Sequence, residues 1–493
     1  MFYGIFQKTK PLFFENKTLR QTIFKNTFWL IIAETITRLL KLALIIYVAR
    51  IFGAEDYGKF SFALAFIGLF IVFSDVGLSQ IVVREFSRGR EKEKEFPAVI
   101  SFKILLALVA LFLMIVCSFF VSTDPVVKKA IWILSIYGVI NGFTEVIFSF
   151  FRARQKMEYE SVTKIIQALI VNSLGFFVIL NMPSVEYLSY SYLLGSIFSL
   201  IVILTFFHFK ITPLKISWET SLWKKYFKMS WPLALVLLFS NTYLNIDSTI
   251  MGYLNQIVET GWYNAAHKII LVTLIPAELI SISFFPTLSL AFKESRERLQ
   301  NVWDHFNGAI MLLVFPMIVG GIALASKIIN WVFDPTFNPA ILSFQMLIIV
   351  TGLSFLCSPL LKMLIVCHQE KKIFWVYFMG TITNIILNII LVPKYSLYGA
   401  SVSLIFTFVV ILLSLLWINI KFNFVNIFNK KIFLIIFNSV FASVLMFFII
   451  TNNFVYNKLN APKLIILGSI IYCITILFLM KNINLLKWKK ILK

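Results

Sequence analysis

The residues of this chain best placed to do chemistry are charges set in apolar surroundings. Glu34, Arg38 and Lys41 follow one another at i, i+4 and i+7, which puts all three on one face of a helix. The stretch that carries them, residues 28–51, is otherwise largely apolar and long enough to cross a bilayer. A charge at mid-bilayer costs ~2.5–3.5 kcal/mol on insertion scales, so this face must point into protein or a water-filled cavity. A Glu34–Arg38 ion pair would satisfy two of the three and leave Lys41 uncompensated. Arginine offers phosphate a bidentate fork and lysine offers it a point charge, so Arg38 and Lys41 read as an anion-binding pair.

Further along, Asn264, His267, Lys268 and Glu278 fall within about 100° of arc at 3.6 residues per turn. Pro276 lies between the last two and should kink the helix. Lys268 is a third candidate for substrate binding, with snorkelling toward a headgroup layer as the plainer reading. Asp247 sits among Asn241, Asn245 and Ser248, Asp75 stands just before Gly77, and Glu145 interrupts another apolar stretch. Glu34, Asp75, Glu145, Asp247 and Glu278 are therefore candidates for ion coupling or for charge pairing, and pairing is the commoner role. The cations within apolar stretches are Arg38, Lys41, Lys103, Lys164, Lys268 and Lys362, a set that suits an acidic or phosphorylated substrate better than a cation.

Other chemistry finds little support. There is no Walker A sequence, so no ATP engine and no cofactor are expected. Glu55 and Asp56, where a membrane glycosyltransferase could hold a catalytic acid, read more simply as a turn. No catalytic residue is assigned, and the chain reads as a non-enzyme. Cys117, Cys357, Cys367 and Cys473 lie in apolar segments without a CxxC pair, as buried thiols would, and no metal site is expected.

The elements that must position these residues are helices. About fourteen apolar stretches of spanning length fill the chain between residues 28 and 481, with 59% hydrophobic residues and a mean hydropathy of +0.88. Only a helix satisfies its own backbone in lipid when it spans alone, so the fold class is all-α integral membrane. The net charge of +22 would otherwise suggest nucleic acid. Its distribution argues against that: about 31 of the 45 Lys and Arg fall in alternate loops on one side and about 8 on the other. By the positive-inside rule both termini are cytoplasmic and the protein is multi-pass in the cell membrane, with membrane lipids as neighbours. The basic first 25 residues carry no evident removable signal peptide.

The expected organisation is a cytoplasmic segment over 1–27, six spans over 28–209, and a basic link over 210–228. Six more spans follow over 229–419, then two over 420–481 and a basic tail over 482–493. In the link, Trp218, Trp223, Tyr226 and Phe227 interleave with lysines, as in a helix lying on headgroups. The two sets of six carry a faint internal repeat. FGAEDYGKFSFALAF follows the first span and NQIVETGWYNAAHKI the seventh, and aligning Gly58 with Gly261 superposes Phe60 on Tyr263 and Ala63 on Ala266. Such parallel repeats are a common transporter plan.

The run VARIFGAEDYGKFSFALAF followed by FSDVGLSQIVVREFSR resembles the N-terminal region of polysaccharide-biosynthesis flippases. FFRARQKMEYES, NIDSTIMGYL, YNAAHKI and PKYSLYGAS extend the likeness over nearly the whole chain. These are the Wzx-type flippases of the multidrug/oligosaccharidyl-lipid/polysaccharide exporter superfamily. The resemblance implies two six-helix lobes in a V, as in the MATE transporters, around a cationic cavity, with two C-terminal helices appended. It implies that a polyprenyl-pyrophosphate-linked oligosaccharide crosses from inner to outer leaflet by alternating access, in company with other polysaccharide-assembly membrane proteins. Mapped onto this chain, the lumenal cations would be Arg38, Lys41 and Lys268, and the acid of the DxGL-like turn would be Asp75. A peptidoglycan-precursor flippase and a cation-coupled drug exporter share the fold and stay open beside it, as does a membrane glycosyltransferase or polymerase.

Overall fold

The computed structural model describes residues 18–211, 215–427 and 429–481. The expected N-terminal basic segment up to residue 17, the tail 482–493 and residues 212–214 of the link lie outside the described residues. Among the described residues every regular element is a helix. Two compact units emerge, residues 1–261 and 262–493.

The first unit opens with α1, Leu19–Phe70, whose 52 residues are broken at Gly53 in a left-handed conformation (φ 70°). At 1.5 Å per residue such a helix is about 78 Å long, far more than one crossing needs. Gly53 is where it becomes two spans, because a left-handed φ is easy only without a Cβ. A 3₁₀ turn over Ile71–Ser74 and left-handed Val76 and Gly77 then lead into α2, Leu78–Phe86. The bend there is 43°. Asp75 holds the turn by accepting bonds from Ser79 N (3.3 Å) and Ser79 Oγ (2.6 Å), which supplies the start of α2 with the acceptor that Gly77 lacks.

Four helices follow: α3 Phe96–Val121, α4 Pro125–Ala153, α5 Met157–Asn181 and α6 Val185–Lys210. Asp124 and Ser184 cap the starts of α4 and α6 by accepting from the amide two residues on. Helix α7, Thr220–Tyr253, runs without interruption through Pro232. Trp223, Tyr226 and Phe227 thus sit on its first turns instead of on a separate surface helix. The core at the end of the unit that carries the basic loops is aromatic: Phe86, Phe96, Phe150, Phe151 and Phe207 are all buried and pack ring against ring.

Helix α8, Ile257–Thr273, begins in the first unit and carries the boundary. Where it passes the second half of α1 the two backbones nearly touch. A Cβ on Gly58 would lie 2.0 Å from Ile257 O, and a Cβ on Gly261 would lie 2.0 Å from Ala54 O. The contact is reciprocal, four residues against four, and it joins the same two glycines that the internal repeat makes equivalent.

The second unit continues with α9 Ile275–Glu294, α10 Arg296–Val332, α11 Ala340–Val366 and α12 Glu370–Lys421. Helix α12 also has 52 residues and is broken at Ser396, whose φ is 49°. Trp303, Phe306, Leu360, Met363 and Leu415 form its main core. The last spans, α13 Lys430–Ile450 and α15 Ala461–Lys481, join through the short α14 Asn453–Lys458. They pack on α10 around Leu324, Met446, Leu464 and Tyr472, whose hydroxyl donates to Leu312 O at 2.7 Å.

Among the described residues, twelve apolar stretches of spanning length result when the bent pair Phe24–Ser74 and Leu78–Phe86 is taken as one. Dividing that stretch at Gly53 and Lys371–Lys421 at Ser396 makes fourteen, the number expected from hydropathy. Large apolar side chains such as Phe112, Phe120, Leu180 and Phe433 stand exposed on helix surfaces, the pattern of a lipid-facing wall. The protein is a multi-pass membrane protein.

Candidate functional site

Helices α1, α4 and α5 enclose a cavity of about 490 Å3 inside the first unit. That is within the roughly 300–1,000 Å3 range of small-ligand sites. Glu34, Arg38 and Lys41 all line it, with Glu145 from α4 and Lys164 from α5. The i, i+4, i+7 spacing on α1 has therefore turned one polar stripe inward, while Leu39 beside it stays exposed on the outside.

The charges form a ladder. Arg38 Nε lies 3.4 Å from Glu34, and Lys164 Nζ donates to the same carboxylate at 3.0 Å. Lys164 also reaches Glu160 at 2.9 Å, one turn earlier on α5. Glu160 is fully buried and accepts two bonds from Arg152, at 2.7 Å from Nε and 2.5 Å from Nη2. Arg152 completes the run by donating to Glu145 at 2.7 Å. Four cations, counting Lys41, thus meet three carboxylates. No ion pair to Lys41 is found among the described residues, and the net positive charge of the ladder falls to its exposed side chain. Neutral hydrogen bonders fill the rest of the wall, with Gln167 donating to Asn141 Oδ1 at 2.8 Å.

An anion entering this cavity meets the Lys41 ammonium, which forms no ion pair among the described residues, and the Arg38 guanidinium, 3.4 Å from Glu34. A phosphate could take Arg38 from Glu34 without stranding that carboxylate, because Lys164 still holds it. The arrangement is suited to reversible anion binding. Glu34 and Glu145, candidates for charge pairing, line the cavity beside the cations, and each of the other cations here is matched by a carboxylate.

The remaining candidates are distributed. Asp75, beyond capping its turn, accepts from Lys103 Nζ at 3.1 Å, and Lys103 is fully buried and also donates to Ser74 O at 2.6 Å. The pair ties the bend between α1 and α2 to α3, and α4 passes it so closely that a Cβ on Gly142 would meet Ser74 Oγ at 2.7 Å. Asp247 is buried on α7. In the second unit Lys268 is half-buried on α8, next to buried His267, whose ring stacks on Tyr263. Pro276 lies in the first turn of α9, where Glu278 stands exposed, whereas Asn264 and His267 on α8 are buried. Cys473 is exposed on the surface of α15, unlike the buried thiol expected.

Arg152 and Glu160 are the residues that sequence reasoning missed. Arg152 stands on the last turn of α4, which runs to Ala153, where a charged residue after an apolar stretch reads as the start of a loop. Two signals pointed at them: Glu145 and Arg152 are seven residues apart on one helix, and Glu160 precedes Lys164 by four.

The comparisons with known proteins agree with this architecture. Residues 23–292, more than half of the chain, match the family model described as polysaccharide biosynthesis protein. A probable low-salt glycan biosynthesis flippase, Agl15 of Haloferax volcanii, is 23% identical over 386 residues, covering 74% of this chain and 77% of that protein. Among solved structures, the lipid II flippase MurJ in an inward closed conformation superposes with a TM-score of 0.77 at 18% identity, over 92% of this chain and 98% of MurJ. An inward-facing multidrug resistance MATE transporter of the MOP superfamily gives a TM-score of 0.66 at 14% identity, over 78% of this chain and 94% of that one. The chain belongs to the polysaccharide biosynthesis protein family, and its fold is that of the multidrug/oligosaccharidyl-lipid/polysaccharide exporters.

Proposed function

We propose that this protein is a flippase that moves a polyprenyl-pyrophosphate-linked oligosaccharide from the inner to the outer leaflet, for cell-surface glycan biosynthesis. The observation that carries the proposal is the Lys41–Arg38 end of the charge ladder, whose net positive charge lines a cavity inside a member of this family. Lys41 and Arg38 bind the diphosphate while the polyprenyl tail stays in lipid. Transport proceeds by alternating access, with the spans of 28–209 rocking against those of 229–419. Both termini are cytoplasmic in this reading, which the one-sided distribution of basic loops supports.

A dianion moving outward travels with an inside-negative potential. At ~2.3 kcal/mol per charge per 100 mV this supplies roughly 4–5 kcal/mol, so ion antiport is compatible with the mechanism without being needed. Asp247, buried on α7, and Asp75 are the carboxylates this reading assigns to any ion coupling. Asp247→Asn then abolishes dependence on an ion gradient while substrate binding persists, and an unchanged gradient dependence removes Asp247 from the mechanism.

The test uses the purified protein in liposomes that contain a fluorescent polyprenyl-pyrophosphate oligosaccharide. A membrane-impermeant glycosidase reports how much glycan reaches the outer face. Wild type exposes the glycan and the Arg38→Ala/Lys41→Ala protein loses at least 100-fold in rate. A wild-type rate equal to protein-free liposomes, with export of a cationic dye instead, overturns the reading in favour of a drug exporter. The MurJ-like fold makes a peptidoglycan lipid precursor the second substrate to offer in the same assay.

A further inference from the structure

The second unit holds a separate cavity of about 500 Å3 where α10 ends and the short α14 leads into α15. Ser326, Lys327, Asn330 and Trp331 occupy positions i, i+1, i+4 and i+5 of α10, so they share one face of its last turns. Tyr456 and Asn460 close the cavity from the opposite side. Lys327 Nζ rests 4.8 Å from the centre of the Tyr456 ring, a cation–π contact that holds the ammonium at the cavity wall. Trp331 is 55% exposed and lines the cavity beside three neutral side chains that can hydrogen-bond, Ser326, Asn330 and Asn460.

We infer that this cavity is a carbohydrate-binding site that takes the glycan portion of the substrate, with preference for a sugar bearing a carboxylate. The inference rests on the glycan-flippase reading for its ligand and on the positive-inside orientation for placing the site on the outer face. The chemistry of the wall selects the ligand class. The amides of Asn330 and Asn460 each donate and accept, as neighbouring ring hydroxyls require, and the Ser326 hydroxyl does both. The indole of Trp331 offers a flat apolar surface to the C–H face of a pyranose. A phosphate headgroup would call for clustered cations, and here one lysine stands among neutral groups. That single charge fits the carboxylate of an acidic sugar.

The test measures binding of two fluorescent tetrasaccharides, one neutral and glucose-based and one rich in glucuronic acid, to the full chain. The protein is held in phosphatidylcholine nanodiscs. Both bind wild type, the acidic one at least fivefold more tightly. Trp331→Ala weakens both by tenfold or more, and Lys327→Gln removes the preference for the acidic sugar while leaving the neutral one bound. Both positions border an open cavity, and Asn330→Ala provides a milder third variant with the same direction of effect. Failure of both sugars to bind wild type, or binding indifferent to all three substitutions, overturns the inference. So does retention of phosphatidylglycerol by wild type, lost in the variants, without any sugar binding, because the cavity is then a lipid-headgroup site. The Arg38→Ala/Lys41→Ala protein separates the two readings. Sugar binding that persists in wild type and in this variant, with no flipping by wild type, sinks the proposed transport and leaves the cavity's assignment standing.

Discussion

Lys41 and Glu160 belong to the same charge ladder and respond oppositely to removal. Glu160 is fully buried between half-buried Arg152 and Lys164, so Glu160→Ala leaves both cations short of their shared counter-ion. Breaking such a buried set costs about 3–5 kcal/mol, and the protein melts at a clearly lower temperature in detergent. Lys41 forms no ion pair among the described residues, so Lys41→Ala strands no partner and stays within about 0.5 kcal/mol of wild-type stability while flipping collapses. A thermal melt and the glycosidase assay on both variants check the pair of expectations, and a large loss of stability in Lys41→Ala would contradict them. The Glu34–Arg38 contact was legible in the sequence because i, i+4 neighbours on a helix must meet. Lys164 as the second partner of Glu34 was not, since a contact across 130 residues depends on how α1 and α5 pack. Hydropathy also hid Arg152, because a charged last turn looks like the start of a loop.

At the scale of elements, the crossing of α1 and α8 tolerates no side chain. A Cβ 2.0 Å from a carbonyl oxygen is far inside the roughly 3.3 Å at which even a weak C–H···O contact sits, and both partners are backbone. Gly58→Ala and Gly261→Ala should each force the helices apart, costing about 1–3 kcal/mol as overpacking does and reducing the yield of monodisperse protein. Gly89→Ala is the control: its backbone is extended and nothing lies within 4 Å of a Cβ there, so its yield matches wild type. The repeat in the sequence paired these two glycines by their surroundings, Phe60 with Tyr263 and Ala63 with Ala266. That the paired glycines also touch each other required the helices in place. The same holds for the helix breaks: Gly53 was legible as a turn residue, whereas Ser396 takes a left-handed φ that its residue type does not favour.

For the whole molecule, the span count was legible because lipid demands about twenty apolar residues per crossing, and fourteen such stretches leave little room for another fold. Orientation is the expectation to test at this scale. In a chain whose four cysteines are replaced by serine, a membrane-impermeant maleimide should label Asn457→Cys in intact cells. It should label Lys293→Cys only after permeabilisation. The reverse pattern would invert the topology and, with it, the direction of transport. The long-range pairing of the charge ladder also sets a timetable for synthesis. Lys164 leaves the ribosome 130 residues after Glu34, which at roughly 5–20 residues per second is a delay of about 6–26 s. Throughout that interval the first hydrophobic segment holds Glu34, Arg38 and Lys41 with only its own internal pair for relief. Release of that nascent segment into lipid must therefore wait, at the insertion machinery, for a helix that has not yet been made.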